Sequence, residues 1–325
     1  MPPGAAGSAA VLPVNLTVAI PAHNDCASLL RLLRMLRALG CADQIVVVDD
    51  GSQVPLQETV LLDAAGLEAG QLRLLRHETA KGAGAARNLA LAHVRTPHLL
   101  FLDADDRPAR ALPWLLQDLA GQEFDFCLFQ HHDTRRDAQG AAGQMPYDQA
   151  LWDFAGLSLG ACTKVSPFAA ASLVQTSNYP WNKIYRTGFL REHNIGCSEI
   201  PVHNDIELHW RSFLNGSRIL ASTHVAVVHD VAPDGQRLTN RTGSERLDVF
   251  IPLTRIAVEI QAKGLDLYLQ PFWSFFTGLM HWVKSNLDPL LHPQLAQRIS
   301  AFLAAHAPAE LPGLPDARAA QRGLA

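Results

Sequence analysis

Asp103, Asp105 and Asp106, with Ala104 after the first, stand directly behind the apolar run His98-Leu99-Leu100-Phe101-Leu102. A run of that length and composition reads as a buried strand. Three carboxylates within four residues repel one another, and at the rim of a core they are costly without a cation. A strand that delivers Asp-x-Asp into a loop suits a hard divalent metal shared with phosphate oxygens. The same residues also suit an acidic turn, because Asp favours turns and helix N-termini. Two further polar segments follow apolar runs in the same manner: Pro21-Ala22-His23-Asn24-Asp25 behind Leu16–Ile20, and Asp49-Asp50-Gly51-Ser52 behind Gln44–Val48.

The elements that must position these segments alternate. Leu16–Ile20 reads as a strand stopped by Pro21, and Ser28–Leu39 as a helix with leucines at helical spacing, closed by Gly40. Gln44–Val48 is a second strand, Pro55–Ala65 a helix, and Leu72–Leu75 a short third strand. Gly82–Val94 opens on glycines and becomes an Ala/Leu helix; His98–Leu102, Pro113–Ala120 and Phe124–Phe129 continue as strand, helix, strand. Such alternation predicts right-handed βαβ units and an α/β fold whose mostly parallel sheet is flanked by helices. Ligands of such sheets bind beyond the carboxyl ends of the strands, so the three polar segments should converge on one crevice. After Gln130 the rhythm breaks: His131–Gln149 reads as a long polar loop or hairpin near that crevice. From Glu245 the pattern is helical, over Leu247–Ala262, Pro271–Asn286 and Pro293–Ala305.

Composition sets the outer limits. The 325 residues, 48% hydrophobic and 18% charged, suit a globular enzyme with a sizeable core. A net charge of -4 argues against nucleic acid as a partner. Cys26, Cys41, Cys127, Cys162 and Cys197 are scattered, odd in number and without a Cys-x-x-Cys pair, which predicts reduced thiols in a cytoplasmic protein. Residues 1–14, rich in Ala, Gly and Pro, read as a disordered lead-in rather than a signal peptide, and the last residues as a fraying tail. No stretch approaches the ~20 apolar residues that span a bilayer. The aromatic piece Phe272–Val283 suits burial against the main domain better than an interfacial anchor, so membrane contact is at most peripheral, at the inner face.

Taken together, Val18–Asn24, Ile45–Ser52, Gly84-Ala85-Ala86-Arg87-Asn88 and Phe101–Asp106 resemble the ordered motifs of family 2 glycosyltransferases, and Trp181–Arg186 and Asn204-Asp205 resemble two later signatures of that family. The resemblance covers roughly the first 245 residues. It implies a GT-A-like domain with a nucleotide-sugar half over 15–130, an acceptor half over 131–244, and a C-terminal helical extension over 245–325. By that resemblance Asp50 accepts the N3–H of a uracil ring, where the residue taken alone suits a turn equally well. Pro21, Ala22, His23, Asn24 and Asp25 line the base and ribose, Asp25 replacing a more usual Glu. Gly82 and Arg87 orient the diphosphate or the first aspartate, unless Arg87 is a surface residue of an Ala-rich helix. Asp105 holds Mn²⁺ or Mg²⁺, with Asp103 and Ala104 reaching ribose or the metal shell, and the metal stabilises the diphosphate leaving group. His229, behind an apolar run, is a late ligand or a structural histidine. Trp181 and Lys183 wall the sugar site, although an aromatic followed by Lys is commonplace.

Inversion by direct displacement needs a general base near the acceptor hydroxyl, and Asp205 is the candidate. It precedes Ile206–Leu214, which has helical spacing, so it is also placed as an N-cap; Glu207 and Glu199 are the alternatives. The family pattern has Glu-Asp where this chain has Asn204-Asp205, which puts the surroundings of the base in doubt. The implied activity is transfer of a sugar from a UDP-sugar to a hydroxyl of a glycan or glycolipid, as in cell-surface polysaccharide synthesis. Lys81–Arg87 imitates a dinucleotide fingerprint, but Arg87 replaces its third glycine and no acidic ribose partner follows. A sugar nucleotidyltransferase would want a basic, Gly-rich loop after the first strand, which Pro21–Asp25 is not. A non-catalytic sugar-nucleotide binder would have no use for both Asp-x-Asp and Asp205. Without a Gln-x-x-Arg-Trp motif or spanning helices, a processive membrane synthase is disfavoured. Donor sugar and acceptor are not encoded in any motif of this chain.

Overall fold

The structure, a computed structural model, describes residues 14–157, 160, 162–231 and 241–308. The expected lead-in, Val14 apart, and the expected tail from residue 309 lie outside the described residues.

The first half alternates as its periodicity dictates: β1 (Leu16–Ala22), α1 (Cys26–Leu39), β2 (Gln44–Asp50), α2 (Glu58–Ala65), β3 (Leu72–His77), α3 (Ala83–His93) and β4 (His98–Phe101). The second is less regular: β5 (Arg107–Pro108), α4 (Leu112–Leu119), β6 (Phe126–Asp133), α5 (Pro146–Ala155), β7 (Thr163–Lys164), α6 (Pro167–Leu173), β8 (Lys183–Arg186), α7 (Thr187–Glu192), α8 (Ile206–Asn215) and β9 (Ile219–His229). Three helices follow among the described residues: α9 (Phe250–Lys263), α10 (Leu269–Asn286) and α11 (His292–His306).

The nine strands of the described residues join one sheet in the order β3-β2-β1-β4-β8-β6-β9-β5, with β7 also on β9. The pairs among β1 to β4 are parallel, as βαβ connections require. Beyond β4 the sheet is mixed: β8 runs antiparallel to both β4 and β6, β6 and β9 are parallel, and β5 and β7 are antiparallel to β9. A continuous parallel run is thus confined to β1–β4, where helices alternate strictly with strands, and β6 with β9 is an isolated parallel pair beyond it.

Two expectations from the sequence need correction. Pro21 does not stop β1, which runs to Ala22 with Pro21 opposite Val48. Its missing N–H is tolerated because β4 ends opposite Ala19, leaving β1 paired on one side there. Residues 131–149 are not a long loop. His131 and Asp133 are buried in the end of β6, a 3₁₀ turn follows over Thr134–Gln139, and α5 begins at Pro146. The alternation of buried residues along β6 continues through polar types, which hydropathy reads as loop.

Helix α1 shows how locally the elements are encoded. Asp25 caps it by accepting from the Ser28 amide at 3.1 Å, Leu29, Leu32, Leu33 and Leu36 form its buried face, and Gly40 ends it at φ 58°. In the extension, α10 buries Phe272, Trp273, Phe276, Met280 and Val283, and Phe276 stacks on Phe302 of α11 at 4.9 Å. Trp210 of α8 meets Phe272 edge-on at 5.5 Å, so the extension shares a core with the helix that Asp205 opens. The aromatic piece over 272–283 thus packs on the main domain, and no described helix is long and apolar enough to cross a membrane.

Asp125 fastens the entry of β6 to its neighbours. Its carboxylate accepts from the Ser217 and Arg218 amides and from the Arg186 and Arg218 guanidiniums, at 2.9–3.2 Å. Burial alone would raise its proton affinity, but these donors outweigh it and hold the carboxyl down to about 2. A carboxyl depressed in the folded state stabilises above its unfolded value and loses that contribution as the pH falls towards its folded value. We therefore expect Asp125→Asn to cost on the order of 2 kcal/mol at neutral pH. Urea titrations across pH should show the gap to the parent narrowing below about pH 4 and nearly closing near pH 2; a gap independent of pH would contradict this account.

Candidate active site

The carboxyl ends of β1, β2, β3 and β4 share one edge of the sheet, and their loops are tied to one another. The His23 ring is hydrogen-bonded through Nδ1 to the Asp50 carbonyl at 2.7 Å, the Asn24 amide donates to Ser52 Oγ at 2.9 Å, and the Gln53 amide to Asn24 Oδ1 at 2.8 Å. Asn24 reaches these partners from a left-handed backbone, φ 53°. Asp25 is taken by the cap of α1, and Pro21 and Ala22 remain in the strand. Of the five residues placed around the base and ribose, His23 and Asn24 thus form the exposed loop surface.

The adjacent Asp49 and Asp50 divide two tasks. Asp49, fully buried, accepts from the Ser52 and Leu56 amides and pairs with Arg76, fixing the loop that follows β2. Asp50 turns to the β3–α3 connection and accepts from His77 Nδ1 at 2.7 Å, the Lys81 amide at 3.0 Å and the Gly82 amide at 2.7 Å. A carboxylate offers about four acceptor positions, and Gly82 is the one protein donor on Oδ2, which leaves room for one more. Gly51 permits this closeness: at φ 68°, a Cβ there would stand 2.5 Å from the Ala80 nitrogen.

Arg87 does not lie on the surface. It is buried, donating through Nη2 to Asp103 Oδ1 at 2.5 Å and through Nη1 to Asn204 Oδ1 at 2.8 Å. Burial opposes its charge, but Asp103 more than compensates and raises the guanidinium's proton affinity. One cation thus ties the acidic loop behind β4 to the loop carrying Asp205. Small residues let α3 come that close: a Cβ on Gly84 would stand 2.2 Å from the Ser198 carbonyl oxygen.

The acidic loop is anchored again at its far end. Arg107 pairs with Val228 across the β5–β9 ladder, which sets Asp106 against His229, Nδ1 to Oδ1 at 2.7 Å. Arg107 grips Asp230 through two hydrogen bonds, the Nη2–Oδ1 bond measuring 2.6 Å. Burial raises the proton affinity of Asp106, with Asp103 and Asp105 adding and His229 opposing. Its other oxygen is buried without a hydrogen-bond partner. Carboxylate oxygens with one imidazole oriented by a second carboxylate match the preferences of Mg²⁺ or Mn²⁺. Among the described residues no three His, Cys, Asp or Glu side chains converge on one point, so phosphate oxygens would have to complete a coordination shell. The residues fit such an ion on those terms.

Trp181 and Lys183 do not wall an open site. Trp181 is 1% and Lys183 0% exposed. Trp181 stacks beneath Tyr179 at 4.3 Å and lies 5.0 Å from the His229 ring. Lys183 donates to the Tyr179 carbonyl at 2.9 Å and to Asn182 Oδ1 at 2.5 Å; burial pulls its ammonium down to about 7, with Asp205 and Asp148 opposing. Both are therefore interior packing residues. The half-buried Tyr179 presents the ring that Trp181 was expected to present, and His131 completes this aromatic group 4.9 Å from Trp181. Neither was singled out from sequence: the alternation of β6 marks His131 as inward-facing only once residues 131–133 are known to be strand.

Asp205 occupies the N-cap of α8 but makes no side-chain capping bond. Burial raises its proton affinity, against the pull of Arg87 and Lys183 and with Asp103 adding. A carboxylate left out of its capping role and shifted towards neutrality has the properties of a proton acceptor. The alternatives are engaged: Glu207 accepts from Ser198 Oγ at 2.6 Å and Arg255 at 2.7 Å, and Glu199 from Asn88 at 3.1 Å.

Replacing Arg87 by Met keeps its bulk and removes both bonds. Loss of a partner from a buried ion pair costs 3–5 kcal/mol, and with Asp103 29% exposed we expect roughly 3 kcal/mol. Chemical denaturation checks this; an unchanged midpoint would remove the bridge from the account.

Comparison with known proteins follows the same residues. Residues 17–147 match the profile described as glycosyl transferase family 2. A pre-mycofactocin glycosyltransferase of Mycobacterium tuberculosis is 30% identical over 219 residues, 66% of this chain and 43% of that protein, so the match spans under half of the relative's length. The succinoglycan biosynthesis protein ExoU of Rhizobium meliloti is 28% identical over 239 residues, 71% of this chain and 67% of the relative. Among solved structures, S. aureus TarS in complex with UDP-GlcNAc has a TM-score of 0.71 at 20% identity, covering 90% of this chain and 81% of that one. The mannosyltransferase PcManGT of Pyrobaculum calidifontis, in complex with GDP-Man and Mn²⁺, has 0.52 at 16%, covering 95% and 79%. At those identities the likeness shows the fold, a mixed α/β GT-A arrangement with helices at the C-terminal end.

Proposed function

We infer that this chain, which belongs to glycosyl transferase family 2, moves a sugar from a UDP-sugar to a hydroxyl of a glycan or glycolipid, with inversion at the anomeric carbon. The observation that carries this reading is the Arg87 bridge, which holds Asp103 and Asn204, the neighbour of Asp205, on one guanidinium. That shared partner supports reading Asp103 as the donor-side carboxylate and Asp205 as the base for the acceptor in one site.

The chemistry follows from those positions. Asp205 takes the proton of the acceptor hydroxyl as its oxygen bonds to the anomeric carbon, and the bond to the diphosphate breaks on the opposite face. Burial of Asp205 favours accepting that proton. Asp50, with His23 and Asn24 beside it, receives the base: its remaining acceptor position suits a ring N–H such as N3–H of uracil, and TarS is a relative in fold that binds UDP and UDP-GlcNAc. Asp105, with Asp103 or His229 but not both on one point, would hold Mn²⁺ or Mg²⁺ together with phosphate oxygens, and the ion when bound supplies positive charge to the departing diphosphate. Arg87 is committed to Asp103 and acts by placing it. The relatives, a pre-mycofactocin glycosyltransferase and a succinoglycan biosynthesis protein, support glycosyl transfer as the reaction class.

Asp205→Asn tests the assignment and separates an enzyme from a binder. Asn keeps the shape and loses the proton acceptor, so turnover, read as UDP released from a UDP-sugar panel, should fall ~10²–10⁴-fold. UDP affinity should stay within about twofold, since a base for the acceptor makes no contact with the nucleotide. Transfer at the parental rate would move the base elsewhere.

Calorimetry tests the ion without turnover. UDP should bind more tightly with Mn²⁺ than with EDTA, and Asp105→Ala should abolish the difference. Identical binding under both conditions would end the metal assignment.

A further inference from the structure

Residues 198–204, immediately ahead of Asp205, have no helix or strand of their own. Their base is well fastened. The Ser198 amide donates to the Asn204 carbonyl at 2.9 Å, closing the loop on itself. Asn88 of α3 exchanges two hydrogen bonds of 2.9 Å with the Cys197 backbone, and Glu207 joins Ser198 to Arg255 of α9.

The tip is held differently. His203 is one of three non-glycine residues with positive φ among the described residues, at 62°. Such a conformation persists only where its surroundings impose it. Among the described residues the His203 side chain makes no hydrogen bond, and its Nε2 atom is buried without a partner. Burial, with Arg246 adding, holds the imidazole down to about 4, so at neutral pH it is an uncharged packing group. Its neighbour is the indole of Trp282 on α10, met edge-on at 5.5 Å and 81°. The Arg246 guanidinium lies over the same indole at 4.7 Å, and Arg246 is fully buried. Trp282 itself is 42% exposed, so its outer face adds little to the core.

We propose that Trp282 is a positioning residue for the transfer reaction: the C-terminal extension clamps His203 in its left-handed conformation and thereby sets where Asp205 stands. The inference rests on Asp205 acting as the base. Asp205 lies two residues beyond His203, and a misplacement of about 1 Å caused far from the chemistry can cost on the order of 10²-fold in rate.

The test uses the full chain and three readouts: UDP release from whichever UDP-sugar the parent turns over fastest, UDP affinity by calorimetry, and amide hydrogen exchange over 198–205. Trp282→Ala should slow turnover roughly tenfold to a hundredfold, leave UDP affinity within about twofold, and speed exchange in that loop. Trp282→Phe, which keeps a ring edge, should restore most of both. His203→Ala should match Trp282→Ala, and the double variant should be no slower than the slower single, as residues acting through one contact require. Parental turnover in Trp282→Ala, unchanged loop exchange, or a rate loss matched by lost UDP affinity would each overturn the proposal. A parent that releases UDP from no UDP-sugar would instead reject the UDP-sugar reading, and loop exchange would still decide the clamp.

Discussion

A single buried guanidinium determines how the two sides of the crevice stand. Arg87 bonds Asp103 behind β4 and Asn204 ahead of α8, segments about a hundred residues apart in the chain, and is itself buried. An unpaired cation at that depth would be prohibitive, so the pairing is enforced from both directions. Neither loop can drift without stranding the charge. The glycine at 84, pressed against Ser198, is the steric counterpart: the helix must approach closely for Arg87 to reach both partners.

Around that bridge the site is held by many small locks of different kinds. Asp50 gathers the β3–α3 connection, Asp49 the turn after β2, the β5–β9 ladder brings Asp106 to His229, and a ring contact fixes His203. Preorganisation of this kind lets a binding site spend little of its interaction energy on ordering itself. It also explains why so many of the polar residues at the strand ends have protein partners: their side chains set geometry as well as offering contacts.

Much of the first half was legible in the sequence because its information is local. Leucines at helical spacing, an Asp cap and a terminal Gly define α1 without reference to the rest of the chain, and Val-rich runs ending in Asp-Gly define β2 and its turn. The ordered motifs likewise located the polar loops. What sequence could not supply were relations between distant residues. Arg87 with Asn204, Asp106 with His229, and His203 with Trp282 have no shared periodicity, and each exists only once the sheet order is set. The burial of Trp181 and Lys183 was missed for a related reason: a Lys at a strand start reads as solvent-facing, and only the Tyr179 carbonyl and Asn182 make its interior position tolerable. Polar residues at the end of β6 read as loop in the sequence because hydropathy does not distinguish an inward His from an outward one.

The sheet order also carries a consequence for biosynthesis. Strands β1 to β4 complete a parallel set within residues 16–101, while the seam to the remainder is the short antiparallel pairing of His98–Leu100 with Ile184–Arg186. A chain emerging from the ribosome can therefore assemble the loops around Asp50 from neighbours in sequence well before β8 has been synthesised. Until then Arg87 has no Asn204 to meet, and the edge of β4 lies open. The seam is the step at which a half-made protein is most exposed to pairing with the wrong strand, and its brevity shortens the edge on offer.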